Sequence, residues 1–203
     1  MKIFCVGRNY ADHAKELGNA IPEDPVIFMK PKTALLQLNA PFFYPEFSNE
    51  LHYELELVLQ VCKNGRYIQE RQASKYFNAI TVGIDFTARD IQNELKKKGL
   101  PWEKAKAWDG SAFTGSWAPV SEEMLNKPIH FSMLKNNELV QKGISTEMIF
   151  SFNQIISHIS NYFSLNIGDL IFTGTPAGVG ECVVGDILTG FLESEKKFEL
   201  EVK

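Results

Sequence analysis

The 203-residue sequence has few of the features that mark nucleic-acid-binding, membrane-spanning or secreted proteins. Its formal net charge is -4, and the short lysine runs at residues 96–98 and 196–197 are diluted by acidic residues, so no basic stripe is available for a phosphate backbone. No apolar segment approaches membrane-spanning length, and the apolar start is too short for a secretory signal. We therefore expect a cytoplasmic protein that binds neither nucleic acid nor membrane.

Cysteine is also scarce. Cys5, Cys62 and Cys182 are odd in number, widely spaced and lack a CxxC pair, which argues against a disulfide framework and against a thiolate zinc site. The chain has no internal repeats, no low-complexity segment and no stretch with the composition of a linker. These absences predict one domain that spans residues 1–203.

Short strand-like runs dominate what is present. They lie at residues 26–29, 51–61, 79–85, 129–134, 138–141, 169–173 and 197–202. Helical patterns are fewer: one runs over residues 90–98, with Asp90 as the expected N-cap and Gly99 as the stop, and another over residues 153–163. The pattern predicts a β-rich α+β fold with a few covering helices.

The stretch LHYELELVLQ, residues 51–60, alternates strictly and places Glu54 and Glu56 on one face of a strand. A half-buried strand with its polar face in water explains the alternation equally simply. Asp85 favours a different interpretation, because it ends an apolar strand that is expected to be buried on both faces, where a carboxylate is costly unless it is paired. Three converging carboxylates would suit a hard divalent ion such as Mg²⁺.

Three other stretches carry candidate functional residues. NYADHAKELG is expected to form a short helix opened by Asn9, on which His13 and Glu16 are neighbours, either as an incidental surface pair or as a histidine base held by a carboxylate. GLPWEKAKAWDG offers Lys106 as a buried cation. TGTPAGVG lacks the ending of a Walker motif, so it is either a tight connection or a rigid loop that presents the Thr175 hydroxyl to a small anion.

Taken in order, the motifs GRNYADHAKE, FMKPKTA, LHYELEL, GIDFTARDIQ, KKKGLPWEKAK and TGTPAGVG resemble the fumarylacetoacetate hydrolase superfamily. The resemblance is closest to its small single-domain branch of acylpyruvases and oxaloacetate decarboxylases. It implies a mixed β-roll or β-sandwich of the fumarylacetoacetate hydrolase C-terminal domain type, usually a homodimer, that binds Mg²⁺ or Mn²⁺.

The resemblance also assigns roles to individual residues. It implies metal ligands at Glu54, Glu56 and Asp85, an active-site lysine at Lys106 rather than Lys104, and a lid dyad of His13 and Glu16. The residues that it implies around the substrate are Arg8, Gln92, Thr175 and, at the border of the site, Lys30. Asp109 and Ser111 receive no role.

These roles imply cleavage of a carbon-carbon bond in a short 2-oxo acid or 1,3-diketo acid. The reaction would be hydrolysis of an acylpyruvate by a water that His13 and Glu16 activate, decarboxylation of oxaloacetate through an enolate that Lys106 stabilises, or both. Residues 9–18 are a candidate lid helix. The alternatives are an isomerase or hydratase of hydroxymuconate-type catabolites on the same scaffold and, less favoured, a metal-binding protein without catalysis.

Overall fold

The computed structural model describes residues 1–16, 20–37 and 40–203, with only the backbone described at residues 14 and 16. The strands in this part are β1 (Ile3–Val6), β2 (Ile27–Lys30), β3 (Leu51–Tyr53), β4 (Leu55–Val61), β5 (Phe77–Asp85), β6 (Thr87–Ala88), β7 (Ala112–Thr114), β8 (Ala118–Pro119), β9 (His130–Lys135), β10 (Glu138–Ile144), β11 (Leu170–Phe172), β12 (Gly180–Glu181), β13 (Ile187–Leu192) and β14 (Glu195–Glu201). The α-helices are α1 (Ala11–Glu16), α2 (Arg89–Lys98), α3 (Glu103–Lys106), α4 (Glu122–Leu125) and α5 (Phe152–Tyr162), and the 3₁₀ turns span Lys32–Ala34, Glu70–Tyr76 and Ser145–Glu147. The predicted β-rich α+β class is confirmed.

The strands form three sheets. The largest has the order β2-β1-β11-β4-β5-β7, with β8 paired to the other end of β5. Within it β1 and β11 are parallel, whereas the other pairs are antiparallel. A four-stranded antiparallel sheet has the order β10-β9-β13-β14, and a small third sheet joins β12, β3 and β6. None of the helices in the described part is long and apolar enough to cross a membrane.

Strands β4 and β5 lie near the centre of the large sheet and are covered on both faces. Leu57 and Leu59 point into the larger apolar cluster, whereas Val58 packs on the opposite face with Ile3 and Phe172. The alternation therefore separates two faces as predicted, but other elements bury the face that could have been in water. Polar groups on that second face must find partners inside the protein.

The predicted strand over residues 51–61 is wrong in one respect, because it is divided at Glu54 into β3 and β4. The side-chain oxygen of Gln141 accepts a hydrogen bond of 2.8 Å from the Leu55 N–H. Strand β3 pairs with β6 and β12, whereas β4 pairs with β5 and β11. Glu54 thus lies where the chain passes from one sheet to another.

The ends of α2 and α5 test the predicted helix signals. Asp90 does not cap α2, which begins one residue earlier, because its carboxylate accepts hydrogen bonds from the Ser48 hydroxyl at 2.7 Å and the Asn49 N–H at 2.9 Å. The stop at Gly99 is confirmed, since this residue takes the left-handed conformation at φ 64°. Helix α5 opens with a capping box in which Ser151 and Gln154 each bind the other's backbone.

The candidate lid lies on α1. Helix α1 begins at Ala11, so it starts later than the predicted opening at Asn9. The Asn9 side-chain amide donates to the carbonyls of Thr173 at 2.8 Å and Phe150 at 3.0 Å, and its oxygen accepts from the Phe150 N–H at 2.7 Å. Asn9 therefore ties the start of α1 to the loop after β11. The predicted helix end at Gly18 lies outside the described residues.

Candidate active site

Three buried carboxylates converge at the junction of β4 and β5. In the antiparallel register Glu56 lies opposite Gly83, and the Asp85 N–H donates to the Glu54 carbonyl at 2.9 Å, so the three acidic side chains share one face. Their exposed fractions are 6% for Glu54 and 1% for each of the other two. One oxygen from each lies within 4.8 Å of the others. This is the trio that the sequence predicts as metal ligands.

Two ammonium groups enter the same cluster. The Lys106 Nζ, from α3, lies 2.7 Å from Glu54 Oε2 and 2.7 Å from Asp85 Oδ2, and it donates to the Thr87 hydroxyl at 2.6 Å. The Lys30 Nζ, from β2, lies 2.7 Å from Asp85 Oδ1. Burial lowers the pKa of Lys106, but the carboxylates of Asp85 and Glu54 outweigh burial and raise it overall. The carboxylates therefore favour the charged form of Lys106.

Ser111 supports Lys30, although the sequence assigns it no role. The Lys30 ammonium donates to the Ser111 carbonyl at 3.0 Å and hydroxyl at 3.1 Å, and also to the Lys106 carbonyl. Lys104 is exposed, whereas Lys106 is 3% exposed, which agrees with the choice between the two lysines. The short helix α3 thus directs one lysine to solvent and the other to the carboxylates.

Arg89 is a functional candidate that sequence reasoning missed. Its guanidinium forms a buried ion pair with Glu54 and donates to the Gln92 side-chain oxygen, three residues along α2. The signal was present in GIDFTARDIQ, where an arginine and a glutamine occur three residues apart on a helix that starts beside Asp85. Gln92 therefore reaches the site through Arg89, with which it shares one helix face.

Glu56 has no cationic partner among the described residues, unlike its two neighbours. It accepts one hydrogen bond, of 2.7 Å, from the Gly174 N–H. Burial raises the pKa of Glu56 well above its ordinary value, the negative charge of Asp85 raises it further, and the Gly174 hydrogen bond lowers it only in part. A buried carboxylate without a counter-charge is what a divalent cation would relieve.

The loop TGTPAGVG closes over this carboxylate. Gly174 has φ 103°, and a Cβ at this position would lie 2.6 Å from Asn9 Cβ, so only glycine fits where the loop meets the start of α1. Thr175 is buried, and its hydroxyl accepts from the Gln141 side-chain amide at 2.9 Å. The side-chain oxygen of Gln141 also accepts from the Leu55 N–H, so Gln141 is a second residue that the sequence did not reveal.

The remaining predicted residues lie at the edge of this cluster. His13 is 3% exposed on α1. The pKa of Glu54 is raised by burial but lowered overall by Lys106, Arg89 and, more weakly, the nearby His13. Arg8 follows β1 and is half-buried, while the side chain of Glu16 lies outside the described residues. The structure therefore places His13 near the cluster. The pairing of His13 with Glu16 stays a prediction.

A cavity of about 240 Å³ opens beside Lys106. Its lining is mostly apolar and includes Phe28, Met29, Pro101 and Trp102. The Lys106 ammonium lies 5.4 Å from the centre of the Phe28 ring. A small organic acid can therefore approach the charged cluster with its carbon chain against apolar side chains.

The chemistry of the cluster fits a divalent metal. Carboxylate oxygens are the ligands that Mg²⁺ and Mn²⁺ prefer, and Glu54, Glu56 and Asp85 present three of them within one small volume. The adjoining cations and the apolar cavity suit an anion with a short carbon chain. The fold and the site thus define a β-rich α+β protein with a buried carboxylate cluster that fits a divalent ion, beside a mostly apolar cavity.

The chain belongs to the fumarylacetoacetate (FAA) hydrolase C-terminal family, whose sequence profile matches residues 2–203. This confirms both the resemblance and the fold type that it implies, and it makes the protein an enzyme of the superfamily. The finer choice of reaction depends on the site.

The names of similar proteins give two different activities. The chain is 40% identical over 191 residues to the oxaloacetate tautomerase YcgM of Escherichia coli, covering 93% of this chain and 86% of the relative. It is 41% identical over 203 residues to the mitochondrial oxaloacetate tautomerase FAHD1 of Bos taurus, covering 98% and 91%. The structure is also similar to fumarylpyruvate hydrolase from Pseudomonas aeruginosa in complex with Mn²⁺ and pyruvate, with a TM-score of 0.94, 35% identity and coverage of 100% and 89%.

Proposed function

We propose that the protein interconverts the enol and keto forms of oxaloacetate or of a closely similar short 2-oxo acid. The observation that carries the proposal is the buried cluster in which three carboxylates adjoin the cations of Lys30, Arg89 and Lys106. Such a cluster suits an enolate, whose negative charge needs preorganised positive charge in a site that excludes water. The names of the two tautomerases that the chain resembles support the same reaction.

Glu54, Glu56 and Asp85 would hold the metal, which we propose to be Mg²⁺ or, as in the similar hydrolase, Mn²⁺. When bound, the ion supplies Lewis acidity towards the oxygens of a 2-oxo acid. The protein's own groups supply orientation and proton transfer. The Gly174 N–H holds Glu56 in its place in this arrangement.

Lys106 stabilises the negative charge that develops on the 2-oxo oxygen. Its raised pKa keeps the ammonium charged, and its three hydrogen bonds, to Glu54, Asp85 and Thr87, hold the nitrogen in one position. Because these hydrogen bonds use all three N–H groups of the ammonium, Lys106 acts on the substrate through its positive charge rather than as a hydrogen-bond donor. The substrate carbon chain would lie in the apolar cavity beside Phe28.

His13 moves the proton. An imidazole nitrogen takes a proton from C3 of the keto form, the electron pair of the C3–H bond becomes the C2–C3 double bond, and the C=O electron pair moves to the 2-oxo oxygen. The imidazolium then gives the same proton to this oxygen, which yields the enol and restores the neutral imidazole. The reverse path returns the proton to C3. His13 suits this role because it is buried on α1, the segment that the Asn9 amide holds against the loop after β11.

Hydrolysis of an acylpyruvate is the second candidate. It is favoured by the likeness to fumarylpyruvate hydrolase and by the backbone of α1, which places residues 13 and 16 three apart on one helix face. A water activated by His13 and Glu16 would attack the distal carbonyl and release pyruvate as its enolate. Decarboxylation of oxaloacetate passes through the same enolate without the water, and an isomerase of hydroxymuconate-type substrates would use it too.

The deciding experiment follows three signals from the metal-loaded protein. The enol absorbance of oxaloacetate reports tautomerisation, and pyruvate release from oxaloacetate and from acetylpyruvate reports decarboxylation and hydrolysis. We expect tautomerisation to be the fastest reaction, to stop in EDTA and to return with Mg²⁺. His13→Ala should reduce it at least about a hundredfold, the usual contribution of a general acid or base, whereas His130→Ala, which alters an exposed histidine, should not change it.

Faster turnover of acetylpyruvate than of oxaloacetate would replace the tautomerase proposal with the hydrolase. Absence of turnover on both substrates in a folded, metal-loaded protein would exclude both and favour the isomerase or the non-catalytic alternative. A His13→Ala variant with wild-type tautomerisation would show that another group moves the proton.

The family resemblance also implies a homodimer, and we propose this assembly together with a cytoplasmic location. Light scattering on the purified protein would measure its mass against the 23.0 kDa of one chain. A mass of one chain at micromolar concentration would contradict the dimer.

A further inference from the structure

The buried side chain of Gln141 connects the second sheet with the carboxylate cluster. A bulge in β10 directs it there, because Leu139 and Gln141 pair with adjacent residues of β9, which makes Val140 an extra residue between them. Residues two apart share a face on a regular strand, yet Leu139 is 58% exposed and Gln141 is 1% exposed. The bulge therefore turns the Gln141 side chain from the surface into the protein.

The loop after β11 packs directly on this bulge. Gly178 takes φ 95°, and a Cβ at this position would clash with the Val140 carbonyl oxygen and lie 3.4 Å from Gln141 Cγ. Only glycine therefore lets the loop approach Gln141 so closely. The same loop supplies the Gly174 N–H that donates to Glu56 at 2.7 Å. Gln141 thus lies against the segment that holds one carboxylate of the cluster.

Three hydrogen bonds fix the orientation of the Gln141 amide. Its oxygen accepts from the Leu55 N–H at 2.8 Å. Its NH₂ group donates to the Thr175 hydroxyl at 2.9 Å and to the Pro176 carbonyl at 3.0 Å. An N–H group can only donate and a carbonyl can only accept, so the amide cannot turn over without losing two of these bonds. The Thr175 oxygen, which could donate or accept, is thereby made an acceptor towards Gln141.

The Thr175 hydroxyl keeps its own hydrogen for another acceptor. Within the residues that the structure describes, this hydroxyl donates only to the Pro176 carbonyl, at 3.5 Å, which is long for a hydroxyl donor. The same carbonyl already accepts from Gln141. Thr175 is 4% exposed and follows Gly174, whose N–H contacts Glu56. A buried hydroxyl without a good acceptor, next to the carboxylate cluster, is suited to donate to a ligand oxygen.

We propose that Gln141 is a positioning residue that directs the Thr175 hydroxyl hydrogen towards a carboxylate oxygen of the bound 2-oxo acid. This inference rests on the proposed function, because it takes the 2-oxo acid to bind at the carboxylate cluster. Gln141 does not touch the substrate and acts through Thr175 alone. Its NH₂ group occupies a lone pair of the hydroxyl oxygen, so the hydroxyl hydrogen points away from Gln141 and towards the ligand.

A double-mutant cycle tests the proposal. Isothermal titration measures the Kd of oxalate, an unreactive analogue of an enolate, in the presence of saturating Mg²⁺. Thr175→Val removes the hydroxyl and should weaken oxalate about tenfold, the contribution of one hydrogen bond to a charged group. Gln141→Met removes the amide without adding charge and should weaken oxalate about fivefold, since the hydroxyl is then free to turn away.

The effect of Gln141→Met should disappear in the Thr175→Val background, because no hydroxyl remains to be positioned. It should persist in the Thr175→Ser background, which retains a hydroxyl. A merely structural role of Gln141 would give the same loss in both backgrounds. Gln141→Asn, which keeps an amide but draws it back from Thr175, gives the same comparison if Gln141→Met does not fold.

Gln72→Met is the matched control, because it makes the same change at an exposed glutamine, and it should keep the wild-type Kd. Unchanged oxalate binding in Gln141→Met or in Thr175→Val would overturn the positioning role, and so would an equal loss in the Thr175→Val background. These outcomes leave the 2-oxo acid site intact. Absence of oxalate binding to Mg²⁺-loaded wild type would instead contradict the proposed function itself.

Discussion

At the scale of single residues, the site combines groups that the sequence marks with groups that it does not. A carboxylate at the end of an apolar strand is an anomaly that a sequence reveals, which is why Asp85 could be singled out. Arg89 looks like any polar residue at the start of a helix, and Asp90 beside it was the more typical cap. Only the fold shows that Asp90 binds Ser48 while Arg89 enters the carboxylate cluster.

Lys96 offers a residue-scale prediction about stability and pH. Its folded-state pKa of about 8 lies below the usual value of about 10.4, so the unfolded chain binds more protons between these two values. The cost of keeping Lys96 charged in the folded protein is therefore fully present below pH 8 and is relieved as the pH rises. We therefore compare the Tm of Lys96→Gln with the Tm of wild type at two pH values in metal-free protein. The Tm of the variant minus that of wild type should be more positive at pH 7 than at pH 9.5.

The measurement is the change in this Tm difference between the two pH values. The Lys96 ammonium lies 5.7 Å from the centre of the Trp102 ring, and the substitution removes this contact equally at both pH values. Lys97→Gln should show a smaller change between pH 7 and pH 9.5. A Tm difference for Lys96→Gln that does not vary with pH would mean that the ammonium is not disfavoured by its surroundings.

At the scale of elements, local signals identified the segments well and their ends less well. The stop of α2 at Gly99 follows from the left-handed backbone that glycine tolerates, and the turn between β9 and β10 follows from Asn136 and Asn137, which take φ 52° and 68°. Six strands were not predicted, namely β1, β6, β7, β8, β12 and β13, and the division of residues 51–61 at Glu54 was missed. That division depends on Gln141, whose side chain takes the place of a strand partner at Leu55.

The capping box of α5 carries the element-scale prediction. Ser151→Ala removes the hydroxyl that accepts from the Gln154 N–H and should cost about 1 kcal/mol of the free energy of unfolding. Ser164→Ala, at an exposed serine just beyond the same helix, should change it by less than about 0.5 kcal/mol. Urea denaturation measures both, and equal losses would show that the cap does not stabilise α5.

At the scale of the whole molecule, the candidate site lies where separate parts of the fold meet. Glu54 joins two sheets, Lys30 comes from the edge strand β2, and the loop that holds Glu56 follows β11. Like charges buried at such a junction oppose folding unless a cation neutralises them. Metal binding should therefore stabilise the entire fold rather than one loop.

This expectation gives the whole-molecule prediction. Mg²⁺ or Mn²⁺ at a hundred times its Kd should stabilise wild type by about 2.7 kcal/mol, seen as a rise in Tm. Glu56→Gln should abolish this rise, and without metal it should melt no lower than wild type, because it removes a buried carboxylate whose pKa is raised. Glu94→Gln, which alters an exposed carboxylate that forms an ion pair with Lys98, should retain the full metal effect. A metal-induced rise that survives in Glu56→Gln would place the ion elsewhere.

By itself, the sequence determined what depends on neighbours along the chain. The alternation of residues 51–60 places Glu54 and Glu56 on one face, the apolar run before Asp85 marks a buried strand, and glycine ends α2, because side-chain direction and backbone preference are local properties. The order of the motifs was enough to identify the family and its fold type.

Only the tertiary structure decided which distant groups meet. Lys30 reaches Asp85 because β2 follows β1 into the large sheet, and Gln141 reaches Leu55 because β10 belongs to a second sheet that packs near β4. Such contacts depend on sheet order and register, which no short stretch of sequence encodes. For the same reason Arg89 was recognised only from the fold: its charge became informative once its partner Glu54 was known.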